Sequence, residues 1–280
     1  MHKRKKRLRI SPMKLIGGLV TFAYAMALTV PLFMALMTSF KTEQERVINP
    51  SGLPENFTWS NYVEAAKVGN LLTAAKNSII ISVGATIGCM LLGLIVAYAL
   101  NRIREYKIGT VLYMLVLSTL FIPAVGTATG LMLRRSLGLY DNLYGEIICA
   151  SLNITMPVFM FSAFMRNLPK ELEEAAILDG ASDRTLCFRI TAPLIKPVMV
   201  SMAILTFRGQ WNNCLGPMLT LRRKELYTIP MALLVNFTQG TATIYTTMFA
   251  GVFMTAIPVI VLYCLCQEQF TDALVGGVKG

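Results

Sequence analysis

Long apolar runs, separated by short polar segments in which the charges collect, make up most of this chain. Six runs reach the roughly 20 residues that a helix needs to cross the hydrocarbon core of a bilayer. They are Leu15–Phe40, Thr73–Leu100, Gly109–Leu133, Glu146–Met165, Leu194–Leu221 and Tyr245–Cys266. Lipid offers no partner to backbone N–H and C=O groups, so each run is read as a helix. The pattern predicts an all-α integral membrane protein with six transmembrane helices over residues 15–266. A basic segment, 1–14, precedes them and a tail, 267–280, follows.

Composition supports this reading. Hydrophobic residues make up 55% of the chain and charged residues only 15%. Mean hydropathy is +0.58, outside the range of soluble domains. A net charge of +11 would suit a nucleic-acid binder, but the basic residues lie between apolar runs, where they set membrane orientation. The expected partner is therefore the lipid bilayer and not nucleic acid.

His2 through Arg9 and Lys14 precede the first run, and the later loops on the same side hold Arg102, Arg104, Lys107, Arg166, Lys170, Arg184 and Arg189. The opposite loops hold Lys41, Arg46, Lys67, Arg134, Arg135, Arg222, Arg223 and Lys224. The bias places both termini in the cytoplasm. The first run is too long for a signal peptide and is read as an uncleaved first helix.

Chemistry of other kinds is sparse. The six cysteines, Cys89, Cys149, Cys187, Cys214, Cys264 and Cys266, show no zinc or redox spacing and read as small apolar packing residues. His2 is the one histidine, which leaves no catalytic triad or histidine-rich metal site. No phosphate-binding loop of the form G-x-x-x-x-G-K-[ST] is present, so the chain is not expected to hydrolyse nucleotide itself. The apolar runs hold almost no carboxylate or histidine of the kind that couples transport to ions.

One polar segment, 166–193, has helical logic of its own. Asn167 is a candidate cap, Pro169 suits a first helical turn, and Glu171, Glu173 and Glu174 favour a helix N-terminus. Gly180 supplies a stop. Ser182 and Asp183 start a second short helix that is expected to end before Pro193. Leu172, Ala175, Ala176 and Asp179 share one strip of the first helix. A solvated loop with good caps and a docking element for another protein both fit these residues.

Glu174-Ala175-Ala176-Ile177-Leu178-Asp179-Gly180, with Ile190 and Pro193 at fixed distance beyond, resembles the "EAA" signature of permease subunits in binding-protein-dependent ABC importers. Ala192 stands where the family usually has Leu. Ser39-Phe40-Lys41-Thr42, Asn61-Tyr62, Trp211-Asn212-Asn213 and Gly276 to Gly280 resemble the carbohydrate subgroup, in particular the second permease of the maltose type. The resemblance implies the type I importer fold with cytoplasmic coupling helices, in a bacterial plasma membrane. It also implies a second homologous permease, an extracytoplasmic sugar-binding protein, and a separate ATPase dimer that binds ATP and magnesium. This chain would then hold no cofactor and no catalytic residue. Glu174, Ala175, Ala176, Asp179, Gly180, Ile190 and Pro193 would couple it to the ATPase. The resemblance also allows the tail to extend toward that dimer, where its glycines alone suggest a free end.

Arg208, Trp211 and Asn212 are spaced i, i+3, i+4 about halfway along the fifth run. Arginine in lipid costs at least about 2.5–3.5 kcal/mol on insertion scales, so this face should meet a cavity or a polar partner. A sugar pathway and a structural pairing with the second permease both satisfy that condition. The rival class is a self-sufficient secondary transporter or channel for a small polar solute, which should bury ionisable coupling groups. An intramembrane enzyme would need a catalytic pair that the runs lack.

Overall fold

A 32-residue helix, α4 (Leu71–Arg102), forms the axis of the protein. The computed structural model describes residues 12–68, 70–104, 106–121, 128–238 and 244–276. The basic residues His2 to Arg9 and the terminal Gly277 to Gly280 lie outside them. Every regular element among the described residues is helical. Ahead of the axis come α1 (Pro12–Ser39), α2 (Glu43–Ile48) and α3 (Ser60–Val68). After it come α5 (Lys107–Ser118), α6 (Ala128–Ser136), α7 (Leu143–Ser151) and α8 (Thr155–Met165). The polar segment singled out above holds α9 (Lys170–Leu178), α10 (Asp183–Thr185), a π-helical stretch Leu186–Thr191 and α11 (Ala192–Leu194). The chain then continues through α12 (Lys196–Trp211), α13 (Leu215–Thr220), α14 (Ile229–Thr238) and α15 (Tyr245–Gly276).

Three apolar stretches are long enough to cross a bilayer without a sharp bend: Leu15–Ser39, Leu71–Arg102 and Leu143–Met165, the last formed by α7 and α8 together. A fourth is bent by 82° between Asp183–Leu194 and Lys196–Trp211. Two shorter apolar helices, Lys107–Phe121 and Tyr245–Val261, occupy the predicted third and sixth positions. Residues 122–127 of the third run lie outside the described residues. α1 is wholly exposed along its apolar window and packs at the periphery. Its last residues join the body.

Several predicted boundaries move. The fourth run breaks at Leu152–Ile154 and the fifth at Asn212–Cys214, and each break precedes a proline by a few residues. The ring of Pro157 excludes the carbonyl of Asn153, and that of Pro217 excludes the carbonyl of Asn213, from the ordinary helical bond. The Asn153 carbonyl instead accepts from the Cys89 thiol at 3.1 Å. The fifth span therefore ends at Trp211, which puts Arg208 in the last turn of α12 and not at mid-span. Residues 267–276, read as tail, continue the helix of α15. The apolar helix α14 was missed because it is only 10 residues long. It is seated from a distance: Ser78 accepts the Ile229 N–H at 2.9 Å, and Asn77 donates to the carbonyls of Glu225 and Tyr227.

Buried residues recur along α4 at three- and four-residue intervals, from Leu71 to Leu100, so one face of the axis meets the other spans. Glycines on α4 let α7 and α8 come close. An added Cβ at Gly88 would lie 2.7 Å from the Ser151 Cβ, and one at Gly93 would lie 2.8 Å from the Pro157 Cβ. Two apolar clusters result. One joins Cys89, Leu94, Ala97, Phe161, Cys187, Ile195 and Val198; the other joins Ala65, Ala74, Trp211, Ile229, Ala232 and Ala250.

Candidate functional site

At one end of the bundle α9 and α10 form a helical hairpin. Glu171 and Glu173 occupy the first turn of α9, where carboxylates face the positive end of the helix dipole. Asn167 does not cap it; Pro169 takes the N-cap position, with no side-chain hydrogen bond. At the other end of α9 the Gly180 N–H donates to the Ile177 carbonyl at 2.9 Å and the Ala181 N–H to the Ala176 carbonyl at 3.0 Å. These two bonds, with Gly180 at φ 82°, make a Schellman motif. Ser182 then caps α10 by accepting the Thr185 N–H.

The second helix does not stop before Pro193, as had been expected. The π-helical stretch shifts the bonding register by one residue just ahead of the proline. Pro193 thus sits in the first turn of α11, where no N–H is required of it. The chain turns only at Ile195.

The outer strip of the hairpin is open. Glu174, Ala175, Asp179, Gly180 and Pro193 are exposed, while Ala176 and Ile190 are half-buried. Leu178 is 89% exposed at the tip, and Leu172 and Ile177 are about half exposed.

Beneath the hairpin lies a cavity of about 340 Å³, lined among others by Arg102, Arg104, Arg166, Leu172, Glu173 and Leu194. Arg102, in the last turn of α4, reaches across it. Its Nη2 lies 3.2 Å from Glu173 Oε1 on α9 and 3.1 Å from Asp183 Oδ1 on α10, and its Nε donates to Tyr98 Oη at 3.1 Å. The sequence reading had counted Arg102 only as an orienting charge. Arg104 and Arg166 both stack against the Tyr113 ring, at 4.9 and 5.3 Å.

The opposite end is closed by clasps between segments remote in sequence. Two of the short motifs meet here: Ser39 Oγ lies 2.7 Å from Tyr62 Oη, and Asn61 Nδ2 donates to the carbonyls of Ser39 and Lys41. Phe40 packs among Phe57, Trp59 and Tyr62. Lys41 is fully buried, and its ammonium donates to the Asn49 carbonyl at 2.7 Å. Glu43 accepts from the N–H and hydroxyl of Thr246 at the start of α15. Buried Glu146 on α7 is held by Arg134 from α6 and Thr220 from α13.

Asp141 binds the loop after α13. Its carboxylate accepts the backbone N–H of Arg222 at 2.8 Å and of Arg223 at 3.2 Å, and pairs with Arg223 Nε at 2.9 Å. Hydrogen bonding, foremost from the Arg222 N–H, holds its carboxyl below the ordinary carboxylate value. A carboxyl depressed in the folded state contributes stability above its unfolded value of about 3.9, and the contribution is lost as pH falls through the folded value. This clasp is expected to stay closed from neutral pH down to about pH 4 and to open only below. Hydrogen exchange of residues 137–142 across that range measures it. Asp141→Asn should raise exchange at neutral pH and flatten the acid dependence.

The three residues of the α12 face separate. Arg208 and Asn212 are exposed, and Arg208 meets no carboxylate among the described residues. Trp211 turns inward: it is 2% exposed, stacks on Phe207 at 5.7 Å and donates its indole N–H to the Thr255 carbonyl at 3.3 Å. Its ring is taken up by packing in this structure, and of the three residues only Arg208 and Asn212 stay open. On a helix, 211 lies about 60° to one side of 208 while 212 lies about 40° to the other, and that difference separates core from open face.

Helical spans gathered around a central axis, with an exposed helical hairpin at one end, define a multi-pass membrane protein. The chain belongs to the family of binding-protein-dependent transport system inner membrane components, whose pattern matches residues 79–267. It is similar to the diacetylchitobiose uptake system permease protein NgcG of Streptomyces coelicolor, 29% identical over 265 residues, covering 94% of this chain and 87% of the relative. The arabinooligosaccharides transport system permease protein AraQ of Halalkalibacterium halodurans is 32% identical over 270 residues, covering 93% and 95%. A crystal structure of a bacterial ABC transporter involved in the import of the acidic polysaccharide alginate shares the fold. It matches with a TM-score of 0.79 and 23% identity over 96% of this chain and 98% of that one.

Proposed function

We propose that this chain is one of two membrane subunits of an ATP-driven importer of sugars or oligosaccharides. The observation that carries the reading is the hairpin, whose Schellman turn at Gly180 presents Glu174, Ala175 and the Leu178 tip to the outside. The names of the relatives, several of which act on oligosaccharides, support the substrate class. In this reading the hairpin lies in the cytoplasm with both termini and docks a separate ATPase dimer, which binds ATP and magnesium. The clasped end faces an extracytoplasmic sugar-binding protein. A second, homologous permease completes the pathway, and the open α12 face with Arg208 and Asn212 lies along that seam. Arg208 there meets either the partner's polar groups or water and sugar in the path, both of which relieve the cost of a guanidinium in lipid.

Co-purification tests the assembly. The chain, tagged and extracted gently from its own host, is expected to bring a second permease and an ATPase. The reconstituted complex should take up labelled members of a panel comprising diacetylchitobiose, arabinotriose and trehalose only when ATP and the binding protein are supplied. Uptake by this chain alone, without ATP, would overturn the reading.

A further inference from the structure

We infer that Arg102 is the positioning residue that makes the central helix α4 move with the α9–α10 hairpin. The inference rests on the reading of that hairpin as the docking element. The hairpin has four mechanical routes into the bundle. The π-helical stretch that continues α10 sets Cys187 in the core cluster with Cys89 and Leu94 of α4. Toward the N-terminus it joins α8 through the short turn Arg166–Pro169, where α9 begins without a side-chain cap. Toward the C-terminus it joins α12 around the 82° bend at Ile195, so a push on the hairpin reaches α12 around a corner. Directly beneath it is the cavity of about 340 Å³, so α9 does not rest flush on the ends of α4 and α8. Across that gap the Arg102 guanidinium holds one carboxylate from each arm, Glu173 of α9 and Asp183 of α10.

The geometry suits transmission better than stabilisation. Arg102 is 37% exposed and its partners 41% and 80%, and pairs so exposed contribute little to stability. What they supply is direction. The Tyr98 hydroxyl, one turn back on the same helix, fixes Nε, and the rigid planar fork then aims Nη2 at Asp183 Oδ1, to which it donates at 3.1 Å, while Glu173 Oε1 is paired by charge at 3.2 Å without a hydrogen bond. One group on α4 therefore registers the two arms of the hairpin together, and α4 packs along α7, α8 and α12.

The test uses the assembled complex with spin labels at Ile95→Cys on α4 and Leu178→Cys at the hairpin tip, the native cysteines being replaced by alanine. In the otherwise native chain, adding ATP is expected to leave the 95–178 distance a single sharp peak, because hairpin and helix travel as one body. Arg102→Met, or Glu173→Gln with Asp183→Asn, should split or broaden that peak on ATP addition. All three substitutions together should add nothing further. Arg102→Lys should fall between, since a flexible ammonium keeps the charge without the fixed fork. Should Arg102→Met fail to assemble, the Glu173→Gln/Asp183→Asn chain alone decides. A sharp, ATP-insensitive peak in the variants overturns the clamp. The docking reading has its own readout: the label at 178 is expected to be immobilised when the ATPase is added. If it stays mobile, the docking reading fails, whereas immobilisation with an unchanged peak in the variants sinks only the clamp.

Discussion

Gly180→Val is expected to abolish ATP-driven uptake while the chain still inserts and still carries its second permease. Gly180 sits at φ 82°, where a glycine is at ease and a β-branched residue is not. A Cβ there would meet nothing within 4 Å, so the whole penalty is backbone strain. For an L-residue that strain is about 1–2 kcal/mol, and more for valine. About 2 kcal/mol corresponds to a roughly 30-fold shift toward chains in which the Schellman bonds to Ile177 and Ala176 have opened. The arms of the hairpin then no longer share one register, and uptake and stimulated ATPase activity should fall together. Gly180→Asn provides the contrast, since asparagine tolerates the left-handed region, and most uptake should survive. Glu174→Lys acts on the same surface by charge alone: Glu174 is exposed on the outer strip, so the fold should be untouched and only docking lost. Normal uptake and normal stimulated ATPase activity in both Gly180→Val and Glu174→Lys would remove the hairpin from its role.

The second large effect is expected in the bundle. Gly88→Leu should leave little folded chain, because even the first added carbon would lie 2.7 Å from the Ser151 Cβ and closer still to its Oγ. The hydroxyl can rotate away but the Cβ cannot move without α7. Overpacking of a fitted contact costs about 1–3 kcal/mol, and here it falls on the central helix α4, where α7 and α8 both bear. Gly93→Leu meets the Pro157 ring and should behave alike. Gly17→Leu, in the exposed α1 with nothing within 4 Å of the new Cβ, should leave folding unchanged. Melting followed in detergent by fluorescence-detected gel filtration separates these outcomes. A Gly88→Leu chain as stable as Gly17→Leu would show that α4 does not pack on α7 as described.

Legibility followed the range of the interaction. The apolar runs and the helix signals around Gly180 are local, because spacing, prolines and a glycine act within a few residues of themselves. The breaks at Leu152–Ile154 and Asn212–Cys214 were also written locally, in Pro157 and Pro217, but uniform hydropathy across each run hid them. Trp211 and Arg208 show the limit of a shared-face argument. Three positions on one side of a helix span about 100°, wide enough for the indole to enter the core while the guanidinium stays out. Arg102 looked like one more orienting charge because Glu173 and Asp183 stand 71 and 81 residues further on.

From residue order alone came the membrane class, the positions of six apolar runs, and the hairpin with its glycine turn. Each depends on periodicity, composition or a backbone preference that the chain carries wherever it folds. The tertiary structure decided which polar groups meet: Arg102 with both arms of the hairpin, Asp141 with the Arg222 turn, Glu146 with Arg134 and Thr220, Ser39 with Tyr62. It also decided that Trp211 is core. These are contacts between groups remote in sequence, and only the packing of α4 against the other spans, set by close approaches such as Gly88 to Ser151, brings them within hydrogen-bond distance.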